Sequence, residues 1–448
     1  MSELALLGGG KAIAKQAPEE LFHWPIVTKE DEDAVLEVLR KGTMSGTDVT
    51  LKFEREFADW MGQSWGLGFC NGTAAIQAAM FAVGLGEGDE LILPSLTYWA
   101  SCMQIFTMRA TPVFAEVDPE TLCIDPNDLE RLIGPKTKAI LVVHYVAHPA
   151  PMDRIMAIAR KHNLKVIEDV SHAQGGLYKG RKLGTFGDVA AMSLMSGKSF
   201  AVGEGGMLTT DNREIYERAV AYAHYERFTE ANTVTATDLR PYAQLALGGI
   251  KGRMNQLSSA MGRVQLKYYD ERCAEIRKAM NYFWDGLEGV PGIRAHRVDE
   301  RDGSNMAGWY CARGLYRPEE IGGLSVTRFC AAVRAEGVED CFPGCNNPLH
   351  SHRAFQTLDL YHSGEPTRIA HADRDVRVLD EKLTISESIG KTIYSIPWFK
   401  KFMPEYIDQY IEAYRKVATH WEELIEGDEP DAPQIGQWFF YRDKTPAK

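Results

Sequence analysis

The chain alternates between short apolar runs and helical patterns from Trp65 to Thr210, and this alternation constrains its fold more than any other feature. The runs typical of β-strands cover residues 66–70, 91–93, 112–117, 139–144, 166–170, 189–195 and 207–210. Helical patterns lie between most of them, at residues 73–83, 98–109, 127–133 and 152–162. Near-continuous apolar strands joined by helices predict a mostly parallel sheet covered on both faces. Ligands bind such sheets at the carboxyl ends of the strands, so the residues after each strand are the first candidates for a site.

The remaining sequence predicts further elements on either side of this sheet. Thr28 and Asp31 form a capping box that begins a helix, and residues 254–287 read as one long helix leading out of the sheet domain. We therefore predict an N-terminal segment, a large sheet domain, a smaller α+β domain and a tail. Their boundaries are 1–27, 28–275, 276–421 and 422–448. The aromatic residues 438–441 suggest that the tail docks on another surface.

Composition narrows the class of function. The 448 residues carry a net charge of −12, which argues against nucleic acid as the main partner and gives no basic surface for a membrane. The N-terminus has no basic region before its apolar patch and no long apolar run follows, so we expect a cytoplasmic protein. Eight scattered cysteines include no CxxC pair, so free thiols are favoured over a disulfide or a metal site.

The chemistry is concentrated in residues 163–212. Asp169 stands at the end of a predicted strand, and Lys198 follows in a loop rich in glycine and small residues. A lone lysine is usually a solvated surface residue, and an acid at a strand end is often a helix cap. Together they match what pyridoxal phosphate requires: a carboxylate to keep the pyridine nitrogen protonated and an amine to form a Schiff base.

Further residues could complete a cofactor site. His172 follows Asp169 by three positions and can bond Asp169 or a cofactor oxygen, or be a core histidine. The turn Asn71-Gly72-Thr73-Ala74 joins a strand to a helix, so its amides can bind an anion such as a phosphate. Ser193 adds a hydroxyl that could reach the same phosphate.

Two other sets of residues could serve either in a binding site or in a purely structural role. Tyr98 and Trp99 follow a predicted strand, and either could stack on the pyridine ring or pack in the core. We favour Tyr98. Lys251 and Arg253 precede the long helix, where they are either surface bases or part of an anion site in a neighbouring subunit.

The order of these segments resembles the DegT/DnrJ/EryC1/StrS family of sugar aminotransferases. The similarity is carried by NGTAA, PSLTYW, VIEDVSHAQGG, KSFAVGEGG and GRMNQLSSAMGRVQL, and it extends from about residue 22 to 421. It implies the fold-type I aminotransferase architecture, an α/β fold with a mixed, mostly parallel sheet between helices and a smaller C-terminal α+β domain. It also implies a homodimer with active sites at the subunit interface.

The resemblance also implies residue roles. Lys198 becomes the Schiff-base lysine, Asp169 the partner of the pyridine nitrogen, and His172 a neighbour of the cofactor. The positions implied for the phosphate are Gly72, Thr73, Ala74 and Ser193, with Lys251 and Arg253 reaching the partner's phosphate. Tyr98 becomes the stacking aromatic, and His350 lies near the substrate.

We therefore predict a ping-pong transamination that uses pyridoxal 5'-phosphate and no metal. The donor is glutamine or glutamate, and the acceptor is a keto-sugar or a keto-cyclitol of the scyllo-inosose type, in antibiotic or polysaccharide biosynthesis. Two alternatives remain: a sugar dehydratase on the same fold, which would replace Lys198 by histidine, and a non-catalytic binding or regulatory protein.

Overall fold

A computed structural model describes residues 2–429. The strands are β1 (Trp65–Phe69), β2 (Glu90–Pro94), β3 (Thr111–Ala115), β4 (Thr137–Val143), β5 (Lys165–Asp169), β6 (Leu177–Tyr178), β7 (Arg181–Lys182), β8 (Val189–Ser193), β9 (Gly206–Thr210), β10 (Ile293–Ala295), β11 (Arg313–Tyr316) and β12 (Ile393–Ser395). The helices are α1 (Lys29–Lys41), α2 (Asp48–Met61), α3 (Gly72–Ala82), α4 (Pro126–Leu132), α5 (Met152–Lys161), α6 (Arg213–Ala223), α7 (Gln256–Gly286), α8 (Val326–Ala335), α9 (Arg353–Gln356), α10 (Thr384–Ser388) and α11 (Pro404–Thr419).

The central sheet has the strand order β1-β9-β8-β5-β4-β2-β3. Strand β9 is antiparallel to both of its neighbours, and the other pairs are parallel. Residues 194–205 join β8 to β9 as a loop without a crossover helix, and the two strands pair as antiparallel neighbours. The predicted α/β fold with a mixed, mostly parallel sheet is confirmed.

The N-terminal helix forms where the capping box predicts it. Asp31 donates its backbone N–H to the Thr28 hydroxyl, and Thr28 donates its own to the Asp31 carboxylate at 2.8 Å. The helix ends at Gly42, whose φ of 68° is the left-handed conformation that glycine adopts readily. The long helix α7 also lies within the predicted range and packs against both α1 and α2.

The predicted helix over residues 98–109 is wrong. Two 3-10 helices, Trp99–Ser101 and Met103–Met108, replace it, with a break at Cys102 (φ −128°, ψ −49°). The Ser101 hydroxyl bonds the hydroxyl of Thr97 and the carboxylate of Asp169, and such polar side-chain bonds compete with regular helix formation. The break therefore has a cause in the site that this segment contacts.

A second, smaller sheet is formed by β10, β11 and β12, which pair antiparallel. Its hydrophobic core is built with α8 and α11 and also includes Leu4 and Leu21 from the N-terminal segment. The sequence-based domain boundaries stay a prediction. The aromatic tail residues 438–441 lie outside the described residues.

Residues 2–429 contain no candidate membrane span, no candidate metal site and no disulfide. None of the helices within residues 2–429 combines the length and apolar character needed to cross a membrane. The same part of the chain holds no group of three or more acidic, histidine or cysteine side chains arranged to bind a metal ion. All eight cysteines fall within it, and each is a free thiol.

Candidate active site

A cavity of about 420 Å³ lies at the carboxyl ends of the central strands. Its walls bring together seven of the predicted residues: Gly72, Thr73, Tyr98, Asp169, His172, Ser193 and Lys198. A larger groove of about 670 Å³ lies between α1, α2 and α7, but it contains none of the predicted residues. We take the smaller cavity as the site because, of the two, it is the one lined by both a buried amine and a buried carboxylate.

Lys198 lies in the loop between β8 and β9 and is 7% exposed. Its amine stands 4.2 Å from the centre of the Tyr310 ring. Burial lowers the pKa of Lys198 from 10.5 to about 8, although the nearby Cys311 and Asp169 act in the opposite direction. A substantial fraction of this amine is therefore neutral near pH 8, as a nucleophile or a base must be.

Asp169 is the last residue of β5, so its side chain meets the cavity at the edge of the sheet. The carboxylate accepts hydrogen bonds from the Ser101 hydroxyl at 2.8 Å and the Ser171 backbone N–H at 3.0 Å. It is 3% exposed. Two donors on a buried carboxylate fix its orientation and compensate its charge, as a partner for a protonated ring nitrogen requires.

The turn before α3 forms another part of the cavity wall. Asn71 caps the helix by accepting the Ala74 backbone N–H at 2.9 Å, so this amide is not available to a ligand, and Ala74 does not line the cavity. The amides of Gly72 and Thr73 lie in the first helical turn, where no helix carbonyl can accept them. A Cβ on Gly72 would stand 2.6 Å from Ser193, so only glycine lets the turn lie this close to β8.

His172 is neutral in this site. Its Nδ1 accepts the backbone N–H of Val146 at 3.2 Å, which leaves the ring proton on Nε2. Val146 has a φ of 45°, a strained conformation for a β-branched residue that often marks functional sites. Burial, together with the charges of Lys198 and Arg313, holds the pKa of His172 well below 6.5. The imidazole can therefore donate one hydrogen bond, and it packs against Tyr145 and Tyr310.

Both candidate aromatic residues line the cavity. Tyr98 and Trp99 are half-buried, and their ring centroids are 5.2 Å apart. The choice of Tyr98 as the stacking residue stays a prediction.

Several residues of the cavity wall were not predicted from the sequence, among them Ser101, Tyr310, Arg313 and Asn346. Arg313 is 5% exposed and donates to the carbonyls of Cys311 and Ala312 at 2.9 and 3.1 Å. The arginine at the start of the apolar strand β11 is a feature of the sequence that could have indicated a functional residue, because a buried arginine needs a function or a partner. Nothing in the linear order placed it beside Lys198.

Besides Ala74, three predicted residues do not line the cavity. Lys251 is exposed, with its amine 5.8 Å from the Tyr225 ring, and Arg253 is paired with Glu226. His350 is buried between the Ser95 hydroxyl at 2.6 Å and the Glu387 carboxylate at 3.2 Å. The roles of these residues stay predictions.

The residues of the cavity fit pyridoxal phosphate. A buried amine of lowered pKa suits the aldehyde, the fixed carboxylate suits the ring nitrogen, and the helix N-terminus with Ser193 suits the phosphate. The three groups come from separate elements and face one cavity.

Comparison with known proteins is consistent with this fit. Residues 25–414 match the DegT/DnrJ/EryC1/StrS aminotransferase family. The chain is 30% identical over 401 residues to the spore coat polysaccharide biosynthesis protein SpsC of Bacillus subtilis strain 168, covering 89% of this chain and 96% of SpsC. It is 32% identical over 364 residues to the L-glutamine:2-deoxy-scyllo-inosose aminotransferase of Micromonospora echinospora, covering 80% and 85% of the two chains. The structure of an aminotransferase from Psychrobacter cryohalolentis superposes with a TM-score of 0.76 at 28% identity, covering 90% of this chain and 100% of the other.

Fold and site together define a pyridoxal-phosphate-dependent aminotransferase. More particularly, the chain belongs to the DegT/DnrJ/EryC1/StrS aminotransferase family. The predicted family, enzyme class and cofactor are thereby confirmed.

Proposed function

We propose that this enzyme transfers an amino group from glutamine or glutamate to a keto-sugar or a keto-cyclitol, in polysaccharide or antibiotic biosynthesis. The observation that carries the proposal is the Lys198 amine, which is buried, has a pKa of about 8 and faces the same cavity as Asp169. When bound, pyridoxal phosphate supplies the electron sink that stabilises negative charge on the carbon bearing the amine.

Lys198 has two tasks in this proposal. Its neutral amine would hold the cofactor, and the same amine, once released, would serve as the base that moves a proton during transamination. General acid–base transfer of this type contributes roughly 10²- to 10⁴-fold in rate. Burial beside Tyr310 lowers the pKa of the amine to about 8, so that it can both give and take a proton near that pH.

The other residues would bind the cofactor and orient it. Asp169, fixed by Ser101, would accept a hydrogen bond from the protonated ring nitrogen. The amides of Gly72 and Thr73 would bind the phosphate at the helix N-terminus, where the helix dipole favours an anion. Tyr98 would stack on the ring.

The polar groups on the substrate side come from the C-terminal part of the chain. Arg313 supplies a buried cation on the cavity wall, which suits the carboxylate of an amino acid donor. Asn346 adds an amide that can bond hydroxyls of a sugar or cyclitol. The His172 Nε2–H is placed on the same wall as Arg313 and Tyr310.

Two relatives support two types of acceptor. SpsC is named for polysaccharide biosynthesis and the Micromonospora enzyme for a scyllo-inosose substrate, with L-glutamine in its name. At about 30% identity neither decides the acceptor, so both classes belong to the proposal.

We also propose a homodimer in which the partner completes the site. Lys251 and Arg253 lie outside the cavity of their own chain, and Lys251 lies beside the exposed Tyr225. Exposed apolar side chains near bases are typical of a surface that another subunit covers. In the dimer these bases would bind the partner's phosphate.

Single-turnover kinetics tests the acceptor and donor together. The pyridoxamine form of the enzyme is mixed with a panel of keto-cyclitols and nucleotide-linked keto-sugars, and the return of the cofactor absorbance is followed. One class should react faster than the other, and glutamine or glutamate should regenerate the pyridoxamine form. Lys198→Ala is the control for both half-reactions. No reaction with any keto-sugar or keto-cyclitol, in an enzyme that still accepts amino groups from amino acids, would refute the proposed acceptor class.

A further inference from the structure

Two loops meet at the catalytic amine. Lys198 belongs to the loop between β8 and β9, and Tyr310, whose ring lies 4.2 Å from the Lys198 amine, belongs to the segment before β11. Neither residue lies in a helix or a strand. The second segment alternates in and out of the left-handed region, with φ of 43° at Ala307, 52° at Trp309 and 54° at Cys311. Contacts from elsewhere must hold the two loops face to face, because such backbone is not held by regular hydrogen bonding.

Two tryptophans supply matching contacts. The Trp24 indole N–H donates to the carbonyl of Lys198 itself at 2.8 Å. The Trp398 indole N–H donates to the carbonyl of Gly308, also at 2.8 Å. The two indoles lie against each other with centroids 5.8 Å apart, and Trp398 packs edge-on against Tyr310 at 5.9 Å. Each loop is thus bonded to one member of a single aromatic pair.

The pair is itself anchored in the C-terminal core. Phe22, two residues before Trp24, packs against Phe399 and Tyr410 at 5.7 Å. The backbone N–H of Lys400 donates to the carbonyl of Leu21 at 2.8 Å. The Lys400 side chain, 5% exposed, lies over both indole rings. The N-terminal segment and the segment around residue 398 therefore form one unit, from which both indole N–H groups project.

We propose that Trp24 and Trp398 are positioning residues that fix the Lys198 amine against the face of Tyr310. The inference rests on the role proposed for Lys198. Neither tryptophan lines the cavity, so both act through the loops that they bond. Removing either N–H leaves a loop carbonyl without its donor and lets the lysine loop move away from Tyr310, which admits water to the amine.

The pKa of Lys198 reports this movement. The titratable groups that face the amine are Asp169 at the end of β5, His172 after it, and Tyr310 and Cys311 before β11. Asp169 and His172 lie outside the two loops and stay in place, whereas Tyr310 and Cys311 are separated from the amine when the loops part. Burial, which lowers the pKa of Lys198, outweighs the opposite effect of Cys311, so the net effect of the separation is that of hydration. Hydration raises the pKa of a buried lysine toward 10.5.

The test uses Trp24→Phe and Trp398→Phe, which keep an aromatic ring and delete the N–H. Trp60→Phe is the matched control, because it removes an indole hydrogen bond of 3.0 Å to Asp270. The readout is the pH dependence of amine labelling at Lys198 in the apoprotein, measured by peptide mass spectrometry. We expect the midpoint to rise by about one pH unit in each positioning variant, a tenfold slower labelling at pH 7, and to stay unchanged in the control. The dissociation constant for pyridoxal phosphate should rise in parallel.

A double variant and melting temperatures distinguish a positioning role of the two tryptophans from a role in packing alone. Because both indoles act on the same pair of loops, the shifts of Trp24→Phe and Trp398→Phe should not add in the double variant. A lowered melting temperature with an unchanged Lys198 midpoint in both single variants would reduce the tryptophans to packing residues and overturn the proposal. If one variant does not fold, the other gives the answer alone. The apoprotein readout requires no turnover, so it is independent of whether the proposed donor and acceptor are correct.

Discussion

Gly72→Ala is the substitution whose effect on the cofactor site follows most directly from geometry. A Cβ at this position would lie 2.6 Å from both Cα and Cβ of Ser193 and 2.7 Å from its backbone N. Ordinary contacts begin at 3.4 Å, so one side must move by about 0.8 Å. Ser193 is held on both sides, by the Ser171 hydroxyl at 2.9 Å and by Gln174 at 2.7 Å. The turn must therefore move, and the first-turn amides move with it.

The displacement of these amides determines how much the affinity for pyridoxal phosphate should fall. The amides of residues 72 and 73 are the proposed donors to the phosphate, and a hydrogen bond to a charged group contributes about 1.5–3 kcal/mol. Loss of roughly one such bond weakens binding of pyridoxal phosphate by about 2–3 kcal/mol, or roughly 30- to 150-fold in Kd. The assay is titration of the apoenzyme with pyridoxal phosphate, followed by the visible absorbance of the bound cofactor.

Gly390→Ala is the matched control. Gly390 has no atom within 4 Å of an added Cβ and does not have a positive φ, so its Kd should equal that of the wild type. The melting temperature of Gly72→Ala separates a local shift from global destabilisation. An unchanged Kd in a folded Gly72→Ala protein would refute both the close approach to Ser193 and the phosphate role of this turn.

Three further predictions test other parts of the account. Ser101→Ala removes one of the two donors to Asp169 and should lower kcat or the affinity for pyridoxal phosphate by roughly 10- to 100-fold, with no change in fold; equal values in wild type and variant would contradict the role of Ser101. The Lys198 amine of the apoprotein should label with a midpoint near pH 8, well below that of an exposed lysine, and a midpoint above pH 10 would contradict its burial. Burial lowers the pKa of His148 to about 4 and that of His296 to about 3, so from pH 6.5 down to about pH 4 only the unfolded chain takes up these protons. The free energy of unfolding should therefore fall with decreasing pH by up to about 1.4 kcal/mol per pH unit for each histidine, and replacing both by glutamine should flatten that slope in denaturant titrations at pH 7, 6 and 5.

The parts of the site that the sequence predicts lie at the ends of strands or in the loops that follow them. Asp169 is the last residue of β5, the turn at Gly72 follows β1, and Lys198 lies in the loop after β8. The carboxyl ends of parallel strands meet at one edge of a sheet, so local pattern and topology are enough to bring these residues together. The antiparallel direction of β9 is a detail that apolar runs alone do not encode.

The parts that the sequence does not predict depend on long-range contacts. The apolar pattern around Ser101 predicts a helix, and the break at Cys102 is explained by the long-range bond of the Ser101 hydroxyl to Asp169 together with the bond to Thr97. Tyr310 and Arg313 reach the cavity through a segment with several positive φ values at non-glycine residues, which has no reliable sequence signature. His350 contacts Ser95 because the backbone N–H of Leu349 bonds the Ser95 carbonyl, a contact across 254 residues that no local pattern indicates.

The central claim is that Lys198 is the residue that binds the cofactor covalently. It is tested most directly by reducing the enzyme loaded with pyridoxal phosphate with borohydride, digesting it, and locating the modified peptide by mass spectrometry. The account predicts the cofactor on Lys198, and a Lys198→Ala protein that retains its fold but gains no fixed cofactor. Modification of a different lysine, or stable attachment in Lys198→Ala, would contradict the account.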